Sequence, residues 1–254
     1  MSVLTFLSDF GKDSHYTASF RGAMYKNNMN IPFVEIANHT CNNTILESAF
    51  LSNMVFADFP TGSFHVIAVG TTAYAHHFHL IARYKGHYFL AANNGILSLI
   101  FNTDFDAYFA IPNTQGVVNT HELYLPVIQQ IQAGRHLEEF LEPMSQVEKK
   151  IGLRPTFVSG DLTGSVVFVD DLGNVFTNIF RDDFNQYFSD VPFQITLSKH
   201  HVLDKISEDL SVFKPGDIYA FFTKHGYLSV SIRDGSAEEL LNLRLYKSIT
   251  IQTK

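Results

Sequence analysis

Asp9 is the first side chain in the sequence whose type and position could do chemistry. The run Leu4–Phe10 is apolar and β-forming, and Gly11 lets the backbone turn where it stops, so Asp9 falls at the C-terminal end of a buried strand. In open α/β sheets ligands bind beyond those ends, and a carboxylate there can accept hydrogen bonds from ligand hydroxyls. The alternative is a cap of the turn or of the next helix. A second concentration of reactive groups is His76, His77 and His79, with His121 and Glu122 further on. Imidazoles can act as bases near neutral pH, given suitable neighbours. His76–His79 stands at an expected loop-to-strand entry, where alternation puts His77 and His79 on one face; polar strand ends of this kind are usually only solvated. A shared metal at His77 and His79 is conceivable, yet no carboxylate or third ligand is firmly placed beside them, so no metal is expected.

The elements that must position these groups follow from hydrophobic period. Tyr16–Asn27 has near-helical spacing, Ile31–Ile36 reads as a short strand, and Thr44–Phe56 has the period and length of a second helix. Phe64–Val69 is a strand, Leu80–Tyr84 with Tyr88–Ala92 a hairpin around Lys85-Gly86, and Ile96–Phe101 a short helix. Leu123–Ala133 reads as a helix with Pro126 in its first turn. Alternating strands and helices predict an α/β domain over residues 1–142, a mostly parallel sheet with helices on both faces. The pattern weakens through Pro143, Glu148-Lys149-Lys150 and Pro155, a linker over 143–158. Six strand-like runs then fall between Gly164 and Ile251, which predicts a small antiparallel β-barrel domain over 159–254.

Composition narrows the class. The chain has 254 residues, 46% of them apolar, enough for a proper core. No apolar run is long enough to span a membrane, and no basic segment precedes an apolar one at the N-terminus, so a cytoplasmic location with no membrane partner is expected. Cys41 is the single cysteine, which excludes an internal disulfide and a thiolate metal cluster. A net charge of −7 without a Lys/Arg cluster argues against nucleic acid.

Four segments in chain order form a recognisable pattern: Thr5–Gly11, Phe59–Val66, Asn93-Asn94-Gly95-Ile96-Leu97-Ser98, and Val169-Asp170-Asp171-Leu172-Gly173-Asn174-Val175-Phe176-Thr177-Asn178. With Gly226-Tyr227-Leu228 and Gly235-Ser236-Ala237, they resemble the S-adenosylmethionine (SAM) hydroxide adenosyltransferase family, relatives of the SAM-dependent fluorinase and chlorinase. The resemblance covers nearly the whole chain. It implies an N-terminal α/β domain, a C-terminal β-barrel, and a homotrimer whose sites lie between neighbouring subunits. Family members displace methionine from the 5′ carbon of SAM with water or halide, and no cofactor is then required, SAM being substrate or ligand. A sulfonium is already an excellent leaving group, so the protein's tasks are alignment and electrostatics.

Carried over by position, the resemblance makes Asp9 the acceptor of ribose hydroxyls, Asp170 the acid facing the methionine amino group, and Asn174 the amide beside the substrate. Asn94 of Asn93-Asn94-Gly95 joins them as an expected substrate-binding residue. Asn174 also reads as a turn residue after Gly173, and of the adjacent Asp170 and Asp171 one can be merely solvated. The departures from the family are as informative. Its water-using members carry an Asp, an Arg and a His at positions that fall here on Gly70, His77 and Asn119. Losing members of such a cooperating set commonly costs orders of magnitude in rate. His77 and His121 are the expected replacements. Two functions therefore stand: a divergent SAM hydrolase producing adenosine and methionine, or a non-catalytic nucleoside- or SAM-binding protein on the same fold.

Overall fold

Every residue of β1 (Leu4–Ser8) is buried, because this strand lies inside a sheet covered on both faces. The computed structural model describes residues 1–11, 13–38, 45–71, 78–101, 104–113 and 119–254. The chain divides into two units, Met1–Ile151 and Gly152–Lys254. In the first, β1 is followed by α1 (His15–Lys26), β2 (Phe33–Asn38), α2 (Ile45–Val55), β3 (Phe64–Ala68), β4 (His79–Tyr84), β5 (His87–Ala92), α3 (Ile96–Ile100), β6 (Ala107–Ile111) and α4 (Thr120–Gln132).

Six strands form one sheet in the order β2-β1-β3-β5-β4-β6. Neighbours from β2 to β5 run parallel, whereas β4 is antiparallel to both β5 and β6. Alternation sorts the side chains. Leu4, Phe6, Phe64 and Val66 enter a core with Phe20 and Met24 of α1 and Tyr124 and Ile128 of α4. Leu7, Ile67 and Phe89 enter the other core with Ala49 of α2 and Ile96 and Ile100 of α3. Helices thus cover both faces, as the sequence predicts.

One local expectation needs correcting, and one strand goes unread. The helix expected over Leu123–Ala133 begins earlier, at Thr120, which places Pro126 inside it rather than in its first turn. Pro126 lies on an exposed side of α4, where the carbonyl one turn back that loses its donor can be hydrated. The edge strand β6 has no counterpart in the sequence reading. Its five residues are held by β4 on one side and by residues 142–144 on the other, with Ala110 donating to the Glu142 carbonyl at 3.0 Å and Met144 to Tyr108 at 2.9 Å.

The second unit contains β7 (Thr156–Val158), β8 (Asp161–Val169), β9 (Val175–Phe180), α5 (Arg181–Phe188), β10 (Phe193–Ser198), β11 (His201–Leu203), β12 (Ile218–Phe222), β13 (Tyr227–Ile232), α6 (Ala237–Leu241) and β14 (Ser248–Thr253). Its eight-stranded antiparallel sheet runs β11-β10-β14-β8-β9-β13-β12, with β7 on β8. Just past β11, the Ser207 N–H donates to the Ala220 carbonyl of β12 at 2.8 Å, and the sheet nearly closes into a barrel. The helix α5 spans only eight residues, shorter than the window over which a helical period is read, although Phe184 and Phe188 share one face and are buried. Its start is fixed by the Asp183 carboxylate, which accepts the Phe180 N–H at 3.0 Å.

Candidate functional site

In the first unit β1, β3 and β5 end at one edge of the sheet, and the antiparallel β4 begins there with His79, opposite Ala92 and Ile111. This is the edge at which α/β sheets take ligands. Asp9, immediately past β1, is half-buried; its Oδ2 accepts the Gly70 N–H at 2.8 Å. Oδ1 has no partner among the described residues. Gly70 has φ +65°, and a Cβ built there would stand 3.1 Å from Asn94 Nδ2. Asn94 is fully buried, its Nδ2 donating to the Val69 carbonyl at 2.9 Å and its Oδ1 accepting the Ile96 N–H at 3.1 Å. It therefore ties the end of β3 to the first turn of α3, and through Gly70 it stands behind Asp9.

Of the expected histidines, His76 and His77 lie outside the described residues. His121, in the first turn of α4, sets its Nε2 3.8 Å from the Glu122 carboxylate and its ring edge-on to Phe20. Asn119 donates to the same Glu122 carboxylate at 2.9 Å. Neither residue has a hydrogen bond to Asp9 or Asn94. His79, by its sequence position a solvated strand end, is in fact 1% exposed, and its Nδ1 lies 2.6 Å from the hydroxyl of the fully buried Tyr124. Its Nε2 has no partner among the described residues. Burial pushes the His79 pKa down to about 4 and raises that of the Tyr124 phenol, so both are neutral near pH 7.

A second buried chain joins Thr5 Oγ1 to His65 Nδ1 at 2.9 Å and His65 Nε2 to His87 Nδ1 at 3.1 Å. It sits at the opposite ends of β3 and β5 from Gly70 and Asn94, packed against Phe56 and Phe89. Desolvation, with repulsion from His87 added, lowers His65 to about 3, and desolvation lowers His87 as well. These imidazoles belong to the core.

In the second unit the turn between β8 and β9 is organised by Asp170. Its Oδ1 accepts the N–H groups of Leu172 and Asn174 at 3.0 and 2.8 Å, and its Oδ2 accepts Asn174 Nδ2 at 2.8 Å. The structure thus brings Asp170 and Asn174 into direct contact, while Asp171 is exposed. Gly173, at φ +77°, packs on the start of α6, where a Cβ would come within 2.8 Å of the Ser236 Cα. The Gly173 carbonyl accepts the Glu238 N–H at 3.1 Å. Two segments some 60 residues apart, Val169–Asn178 and Gly235-Ser236-Ala237, are thereby one structural piece. The next motif residues are structural: Thr177 Oγ1 donates to the Leu228 carbonyl at 2.9 Å, and Asn178 Oδ1 accepts the Ser165 N–H at 2.7 Å.

Residues 4–141 match the family model for the SAM hydroxide adenosyltransferase N-terminal domain, and residues 164–250 match that for the C-terminal domain. The chain belongs to the SAM hydroxide adenosyltransferase family. Solved structures share its fold. An uncharacterized conserved protein from Thermotoga maritima superposes with a TM-score of 0.85 at 20% identity, covering 98% of this chain and 100% of that one. A conserved hypothetical protein from Thermus thermophilus gives 0.74 at 18% identity, covering 100% of both chains.

The three positions that the resemblance marks as departures fare differently. Gly70 offers a backbone N–H to Asp9 and no side chain, Asn119 is tied to Glu122, and His77 lies outside the described residues. Among the described residues no group of three or more His, Cys, Asp or Glu could hold a metal, and no helix is long and apolar enough to cross a membrane. The buried His79–Tyr124 pair is what the sequence did not disclose. Its partners are 45 residues apart, and no local pattern joins a strand's first residue to one in the middle of a helix.

Proposed function

We propose that this protein binds S-adenosylmethionine or adenosine and transfers the adenosyl group of SAM to water, giving adenosine and methionine. The observation that carries the reading is the Asp9 carboxylate at the ligand edge, one oxygen steadied by Gly70 N–H and the other without a protein partner among the described residues. A carboxylate held this way suits a pair of ribose hydroxyls, both of which are donors. Asp170 supports the amino-acid end. Its oxygens already accept three donors, but a carboxylate has about four acceptor positions, so an ammonium group can still be received. SAM enters as substrate, with no cofactor, and a cytoplasmic homotrimer belongs to the same reading; mass in solution tests the assembly.

A second reading, binding without turnover, is favoured by Gly70 and Asn119, which supply no water-activating acid or imidazole. Calorimetry with SAM and with adenosine, paired with chromatography of the products, separates the two. Asp9→Ala is expected to weaken adenosine by about 10- to 100-fold, the worth of a hydrogen bond to a charged group. No binding of either compound by the unaltered protein overturns both readings. Binding with no adenosine formed above a heat-killed control selects the second.

A further inference from the structure

We infer that His79, oriented by Tyr124, holds the water that receives the adenosyl group. The inference rests on the reading of adenosyl transfer to water and assigns that water a site. His79 is the first residue of β4, opposite the last residues of β5 and β6, so it stands on the same edge of the sheet as Asp9, Gly70 and Asn94. From β1 to β4 there are three strand spacings, about 14 Å between backbones. His79 Nε2 is buried and lacks a hydrogen-bond partner among the described residues. Buried polar atoms rarely stay unsatisfied, and a water is the smallest group that satisfies one. Thr71, just past Gly70, is 3% exposed and leaves its hydroxyl likewise unpartnered among the described residues, so this edge has a second free hydrogen-bonding position.

The pair also suits the chemistry. If Nδ1–H donates to Tyr124 Oη, Nε2 presents a lone pair, and burial keeps the ring neutral near pH 7 while making it a weaker base. The water oxygen forms its bond to the 5′ carbon as the carbon–sulfur bond breaks, its electron pair leaving on the methionine sulfur. One proton of the resulting oxonium passes to Nε2 and then to solvent. An oxonium is far more acidic than any imidazolium, so even a weakly basic histidine suffices. His121 is less suited, since its ring faces Glu122 and Phe20. In these terms His79 is a catalytic residue and Tyr124 a positioning residue.

Steady-state turnover of SAM by the unaltered protein, His79→Gln, His79→Ala and Tyr124→Phe tests this, with thermal melts to confirm folding. Gln can still hold a water but cannot take its proton. Both His79 variants should lose about 100- to 10,000-fold in kcat with KM changed less than about threefold, and Tyr124→Phe should lose roughly tenfold. Because a buried substitution can unfold the protein, nitrogen-15 NMR of imidazole-labelled unaltered protein supplies a second readout. The His79 Nε2 signal should move when adenosine is added and those of His65 and His87 should not, and Tyr124→Phe should alter the His79 tautomer signals. Undiminished kcat in His79→Gln, or a His79 signal unmoved at saturating adenosine, overturns the assignment and leaves adenosyl binding intact. SAM binding without turnover also overturns it, selecting the binding-only function. Absence of all binding overturns the assignment together with the reading beneath it.

Discussion

Asn94 Nδ2 stands 3.1 Å from where a Cβ on Gly70 would lie, while it donates to the Val69 carbonyl next door at 2.9 Å. The two residues are thus fitted to each other, and the fit sets what can occupy the position beside Asp9. Gly70 also has φ +65°, which strains any residue with a side chain.

Gly70→Ala should therefore lower stability by roughly 1–3 kcal/mol, the strain of a left-handed residue plus displacement of Asn94. Gly134 has φ +84° and nothing within 4 Å of its would-be Cβ, so Gly134→Ala reports the backbone share alone, about 1 kcal/mol. Urea unfolding of both variants measures the difference; equal losses would show that Asn94 yields freely.

The second unit offers a sharper version. Gly173→Ala brings a Cβ against the Ser236 backbone, which cannot swing away as a side-chain tip can. We expect at least about 3 kcal/mol lost, against about 1 kcal/mol for Gly216→Ala, whose surroundings are open. Circular dichroism melts of the two variants settle the ranking.

Asp170 is expected to matter before any ligand arrives. Asp170→Ala leaves two backbone N–H groups and the Asn174 amide without their acceptor, and about 2 kcal/mol should go with them. Asn174→Ala removes one of those bonds and should cost about 1 kcal/mol or less. If both variants melt like the parent, the turn owes little to this carboxylate. Ligand affinity of the Asp170 variant must then be measured well below its melting temperature, so that loss of binding is not loss of fold.

Acid should destabilise the first unit early. The unfolded chain protonates its histidines near 6.5, whereas folded His65 takes a proton only at about 3 and His87 is also lowered. The folded state thus binds fewer protons between those values, and stability is full above pH 6.5 and falls as pH drops toward 3. At pH 5 His65 alone should have cost on the order of 2 kcal/mol. Denaturant midpoints measured from pH 7.5 to 4.5 should decline; a flat profile for the unaltered protein would mean that the Thr5–His65–His87 chain accepts protons in place.

Much of this molecule is legible along the chain itself. Apolar runs such as Leu4–Leu7 and Phe64–Val69 announce strands buried on both faces, and the near-helical spacing of Tyr16, Phe20, Ala23 and Met24 announces α1, because those signals are local and repeat. The motif segments announce the family for a similar reason: they survive as short contiguous strings. Asp9 at a strand end, and the family position that falls on Gly70, can be named from order alone. What β6 and α5 lack is length: β6 is five residues defined by the strand beside it, and α5 is eight residues held by two phenylalanines that find the barrel core.

Only the tertiary structure decided which of the named residues act on one another. By its motif Asn94 reads as a substrate-binding residue, and the fold engages both ends of its amide with backbone, a matter of where β3 and α3 come to lie. Gly173 meets Ser236 because β8, β9 and α6 converge, and His79 meets Tyr124 because β4 enters the sheet antiparallel beneath α4. The sequence determined most of the elements, the family and the carboxylate just past β1, since local propensity and short motifs encode them. Strand order, register and helix packing determined which imidazole is buried with a nitrogen left unpaired among the described residues, since such contacts join distant positions through the folded core alone.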